Sequence, residues 1–174
     1  MELQLHLHRW EQHEPDWSAA AVSGFAAGAV LMVLELLWAS IANGAGPWRI
    51  SQLVAALVLG PETLRSPAYD FSVLVVAVAL ATHYFLGCLF GMVLGFVSAG
   101  FRYDTNPAVL AIVGVAFGAL LYLFSFYGAT RVFWWLVELR GWTTLIAHLI
   151  FGVTASLLYW KLARRPTGPQ QRGS

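Results

Sequence analysis

The sequence predicts an all-α membrane protein, a bundle of four transmembrane helices, on three observations. Four stretches are long and apolar enough to cross a bilayer, which takes about 20 mostly apolar residues in a helix. Charge is scarce: of 174 residues 11% are charged and 59% hydrophobic, and the mean hydropathy is +0.67, whereas an ordinary soluble domain carries about 25% charged residues. A β-barrel does not fit, because so few segments cannot close one and open strands leave unpaired amides in lipid. A water-soluble chain this apolar would expose large patches and aggregate. The length suits one domain.

The chain opens with a tail, 1–17, that holds Glu2, Glu11, Glu14 and Asp16 against Arg9 alone. A secretory signal needs a basic stretch directly before its apolar core, so the first apolar run reads as an uncleaved anchor. His6, His8 and His13 in this tail invite a metal reading but are taken as ordinary tail residues. The membrane domain is expected over 18–162. Its first span covers about 18–41. A shorter apolar segment, 47–59, begins with Pro47 and ends at Gly60-Pro61. It is too short to cross and reads as an interfacial or re-entrant helix, with an extramembrane loop helix packed on the bundle as the alternative. Trp48 and Arg49 then lie at headgroup level.

The second span covers about 71–99 and the third about 107–128. Asn106 is a good helix cap, and Pro107 suits the first turn, where its missing N–H costs nothing. The fourth span is expected over 133–159. Trp134, Trp135 and Trp142 near its start, with Trp48, form an aromatic belt of interface anchors. Glu138 and Arg140 between them read as an interfacial, water-reaching pair. The last residues, 163–174, rich in Pro, Gly and Gln, are expected to be a disordered tail. Basic residues near the spans set orientation. Arg9, Arg102, Lys161, Arg164, Arg165 and Arg172 lie on the side of the termini, and only Arg49, Arg65, Arg131 and Arg140 on the other. Both termini are therefore placed in the cytoplasm.

A two-helix hairpin is expected to occur twice. Gly24-Phe-Ala-Ala-Gly28 in the first span matches Gly114-Val-Ala-Phe-Gly118 in the third, and His83-Tyr-Phe-Leu-Gly87 in the second matches His148-Leu-Ile-Phe-Gly152 in the fourth. Such a repeat is parallel, its halves related by a pseudo-two-fold axis along the membrane normal, and it places His83 and His148 at similar depth. Gly24, Gly28, Gly87, Gly91, Gly95, Gly114, Gly118 and Gly152 recur at helical spacing. They are assigned to close helix packing, which small residues permit.

Packing does not account for Glu35 or the two histidines. A carboxylate inside the hydrocarbon costs a few kcal/mol and is expected to face a partner or water. Glu35 either pairs with Arg49, Arg131 or Arg140, stays protonated, or forms an ion site. Each histidine alone reads as a helix-to-helix hydrogen bond. Together, Glu35, His83 and His148 suggest a shared polar site with Tyr122, Ser125 and Tyr127 nearby. Two imidazoles and a carboxylate suit a transition metal; they equally suit a proton relay, because histidine titrates near neutrality. Bis-histidine haem is a third option. No cofactor is required by the sequence, and no catalytic residue or enzyme signature is present.

The formal net charge of +1 gives no excess of cations to neutralise phosphates, so no nucleic-acid partner is expected. Cys88 is the only cysteine, which precludes an intrachain disulfide. The Gly24–Glu35 stripe, the Pro47-Trp48-Arg49 segment and the two His-x-x-x-Gly pairs resemble uncharacterised small four-helix bacterial inner-membrane proteins, some of which carry transporter-like labels. The resemblance implies a multi-pass inner-membrane location and brings no established activity. Two functions remain in play. One is a module, monomeric or homo-oligomeric, that binds or conducts a proton or metal ion; the other is an accessory or structural subunit docked on a larger membrane complex.

Overall fold

The computed structural model describes residues 14–42, 46, 48–67, 70–100 and 106–163. The expected N-terminal tail lies almost wholly outside these residues, as do Arg102 and the C-terminal tail from Arg164. Among the described residues five α-helices follow in order: α1 (Trp17–Ala42), α2 (Trp48–Leu59), α3 (Val73–Gly100), α4 (Pro107–Leu123) and α5 (Trp142–Leu162). With the turns that prolong α4, four of them are long and apolar enough to cross a membrane. The fold is an all-α, four-helix membrane bundle. The starts of α1 and α4 and the ends of α3 and α5 share one end, here the terminal end. The opposite, loop end carries α2 and the connection between α4 and α5.

Glycine seams hold the bundle together. A side chain at Gly24 would collide with the backbone of Gly87 and Gly91, and one at Gly91 would lie 2.5 Å from the Ala20 carbonyl oxygen. In the other pair, Gly114 and Gly152 meet backbone to backbone, and Gly118 meets the His148 carbonyl. Lipid tails are as apolar as the helices, so close backbone approach and its dispersion energy replace the hydrophobic effect as the cohesive force. The residues matched in the sequence repeat are thus matched in contact: Gly24 on Gly87 as Gly114 on Gly152, and Gly28 beside His83 as Gly118 beside His148.

The two hairpins do not keep the symmetry that this correspondence leads one to expect. Helix α1 lies along α5, their shared core including Ala27, Leu31, Phe151 and Ala155. A two-fold axis would lay α3 along α4 in the same way, yet these helices hardly meet. The first hairpin alone contains α2, which is about 18 Å long, too short to span. It packs along α3 and buries Leu53 and Ala56 against Tyr122, Phe126, Trp135 and Leu136. Helix α2 therefore stands over the gap between α3 and α4 at the loop end.

Helix α4 starts as its sequence requires: the Asn106 side chain accepts from the Ala108 N–H at 2.9 Å, and Pro107 takes the first turn. It then continues into a π turn, Phe124–Gly128, and a 3₁₀ turn, Ala129–Arg131. The fourth span differs from expectation. It begins at Trp142 rather than at residue 133, because Trp134–Leu139 forms a separate 3₁₀ helix and Arg140 and Gly141 are extended. Two hydrogen bonds fix this break against the end of α4. Arg140 donates through Nε to the Phe126 carbonyl at 2.6 Å, and the Gly141 N–H donates to the Tyr122 hydroxyl at 3.2 Å.

The same contacts correct two further expectations. Glu138 and Arg140 do not pair with each other: Glu138 holds Arg49 in a two-pronged ion pair at 2.8 and 3.1 Å. Trp135 is not an exposed anchor. It is buried, and its indole N–H donates to the Leu53 carbonyl at 3.2 Å. A buried indole N–H needs such an acceptor, and α2 supplies it. Trp134 and Trp142 are exposed, while Trp48 is half-buried against Phe71.

Candidate functional site

Two cavities flank Glu35. The larger, about 540 Å³, opens at the loop end between α1, α2 and the start of α5; Arg49, Glu138, Arg140, Thr143 and Thr144 supply its polar lining beside Glu35. The smaller, about 290 Å³, fills the gap between α3 and α4 under α2. Glu35, His83, Ser125 and His148 all line it, and the rest of its wall is apolar. Among the described residues, Glu35 is the only charged one that borders both.

Depth follows from helix position. Glu35 stands seven residues before the end of α1 at Ala42, about 10 Å along the axis at the α-helical rise. His83 lies ten residues into α3 and His148 six into α5, both counted from the loop end. All three therefore sit in the loop-end half of the bundle. In the terminal half, Ala19, Ala20, Gly91, Gly95, Ser98, Ala99 and Tyr159 are buried, with Ala20 packed closely against Gly91 and Gly95.

The two histidines occupy matched positions but make different bonds. His83 reaches across the helix seam, its Nε2 2.9 Å from the Gly28 carbonyl. His148 turns along its own helix, its Nδ1 2.8 Å from the Thr144 carbonyl. A carbonyl can only accept, so each of these ring nitrogens carries the proton, and in the neutral ring the other nitrogen is an acceptor. Phe126 and Tyr122 lie edge-on to the His148 ring, with centroids at 5.3 and 6.0 Å.

Glu35 has no hydrogen bond or ion pair among the described residues, and the nearby cations have other partners. Arg49 is bound to Glu138 and also donates to Gln52 Oε1 and the Leu64 carbonyl. Arg140 donates to Phe126 and Thr130 and covers the Tyr127 ring at 4.4 Å. The expected pairing of Glu35 with Arg49 or Arg140 is therefore absent, and Arg131 is exposed at the connection. The reason is geometric: both guanidinium groups are drawn to the α2 roof and the α4–α5 connection.

The structure thus brings Glu35, His83, His148 and Ser125 to one cavity but does not draw them into a metal site. Among the described residues no three His, Cys, Asp or Glu side chains are placed to hold a metal ion. Tyr122 and Tyr127 stand apart from the cavity, Tyr122 bonded to Gly141 and Tyr127 exposed under Arg140. The Arg49–Glu138 link and the Trp135–Leu53 bond were not legible beforehand, since each joins residues more than 80 positions apart. The one sequence hint was Arg49 and Gln52, a helical turn apart in an otherwise apolar segment. No protein-family model, no curated protein and no solved structure matches the chain.

Proposed function

We propose that this protein is a small multi-pass inner-membrane protein that moves protons, with Glu35 as the group that holds them. One observation carries the reading: a carboxylate about two turns inside a membrane helix, bordering both cavities, with no cationic partner among the described residues. Such a group is costly in lipid unless it is protonated or reaches water. The larger cavity gives it a polar route to the loop end. A metal-ion reading is weaker, because the two imidazoles and the carboxylate do not converge.

His83 and His148 support the proton reading as neutral neighbours. Each has one ring nitrogen committed to a backbone carbonyl, which leaves an acceptor on the other side to exchange a proton with Glu35 or with water. The excess of basic residues on the terminal side supports termini in the cytoplasm, so the larger cavity opens away from it.

The test is proton flux in proteoliposomes that enclose a pH-sensitive dye, under an imposed membrane potential. Wild type should acidify or alkalinise the lumen faster than empty vesicles. Glu35→Gln should insert equally well and lower that rate at least tenfold. Equal rates in wild type and empty vesicles would overturn the proposal and favour an accessory subunit, whose partners would then co-purify in mild detergent.

A further inference from the structure

We infer that the smaller cavity binds a compact lipophilic organic cation, an aryl or alkyl ammonium, with Glu35 as its counter-ion. The inference rests on the preceding reading in one respect, that Glu35 is an unpaired, exchangeable carboxylate. Three features select this ligand class.

The first is the sign of the site. Among the described residues, Glu35 is the only charged side chain lining this cavity. The ring N–H groups of His83 and His148 are spent on carbonyls, so what remains is a carboxylate, two imidazole acceptors and the Ser125 hydroxyl. That set welcomes a cation and gives an anion almost nothing to bind.

The second is the wall. Phe90, Phe124, Phe126, Phe133 and Phe151 line the same space. Aromatic faces attract ammonium groups, most strongly where water is excluded, while a hydrated inorganic cation would lose its water there for little return. The third is size. At about 290 Å³ the cavity lies at the small end of ligand pockets, which run from about 300 to 1,000 Å³. It suits a compact ligand with one ring or a few short alkyl arms. The gap between α3 and α4 gives such a molecule a lateral way in from the bilayer.

A proton and the cation compete for Glu35, so acid weakens binding. The titratable and charged groups that line the cavities with Glu35 are His83 from α3, His148 from α5, Arg49 from α2, and Glu138 and Arg140 from the α4–α5 connection; the π turn that prolongs α4 adds only the Ser125 hydroxyl. Arg49 and Arg140 are the charges that oppose a cation; both line the larger cavity and neither lines the smaller one, and Arg49 is offset by Glu138.

The test is isothermal titration calorimetry of the full chain in non-ionic detergent, with benzyltrimethylammonium as probe and benzenesulfonate as its anionic control. Wild type should bind the cation saturably, one per chain, and ignore the anion. Affinity should fall at least tenfold in Glu35→Gln, and also in Leu86→Trp, which fills the cavity and keeps the carboxylate; helicity by circular dichroism verifies that both fold. Absence of binding, equal affinity in wild type and Glu35→Gln, or equal binding of benzenesulfonate overturns the inference. The flux assay on the same preparations separates the two readings. Flux that needs Glu35 without cation binding removes this inference alone, whereas flux indifferent to Glu35 removes the proton reading.

Discussion

Glu35 is the costliest side chain to place in this bundle, and its surroundings decide what it can be. The arginines that line its cavities are bonded elsewhere, Arg49 to Glu138 and Arg140 to the Phe126 carbonyl and the Thr130 hydroxyl. The glycines face a cost of another kind. Gly152 has the backbone of Gly114 and Gly118 against the place a side chain would occupy, while Gly100 has open space. Overpacking a close contact costs about 1–3 kcal/mol, and a change that touches nothing is typically within about 0.5 kcal/mol. Gly152→Ala should therefore lower stability by about 1–3 kcal/mol in detergent unfolding, and Gly100→Ala should leave it nearly unchanged. Gly60 fails for a different reason. Its φ of 91° and ψ of 167° belong to a region that side chains avoid, so Gly60→Ala should cost about 1–3 kcal/mol although no atom is in the way.

At the scale of elements, α2 is the piece held by specific polar bonds rather than by a glycine seam. Arg49 ties it to Glu138, Gln52 Nε2 donates to the Pro67 carbonyl at 2.9 Å, and the Leu53 carbonyl accepts from Trp135. The Arg49–Glu138 pair is partly exposed, and such pairs contribute about 0–1 kcal/mol. The buried indole bond should be worth about 0.5–1.5 kcal/mol. Trp135→Phe should therefore loosen α2 more than Glu138→Gln does. Amide exchange of residues 53–59 reads this directly: faster in both variants, fastest in Trp135→Phe, with the α4–α5 seam unaffected. If exchange rises equally along α5, α2 is not a separately anchored element.

At the scale of the whole molecule, the bundle was legible because lipid imposes it. Four apolar runs of spanning length, and amides that must be satisfied within each segment, leave few alternatives. The seams were legible too, since Gly24, Gly114 and Gly152 announce their roles by spacing. The start of α5 was not. Trp134 to Trp142 reads as the start of one continuous helix, and only the tertiary bonds from Arg140 to Phe126 and from Gly141 to Tyr122 show where it breaks. The cavity was half legible. Helical spacing pointed Glu35, His83 and His148 inward, but the gap that gathers them exists because α2 stands over α3 and α4, and no local pattern encodes that.

The loop-end half of the molecule is therefore hollow and polar at Glu35, and the described residues of the terminal half pack closely through small side chains. The most direct test of this account is the infrared spectrum of the protein in bilayers, recorded across pH for wild type and Glu35→Gln. Wild type should show a protonated-carboxyl band that is missing in Glu35→Gln and that fades reversibly as the bulk pH rises. An identical spectrum in the two proteins, or a Glu35 carboxylate that stays ionised throughout, would contradict it.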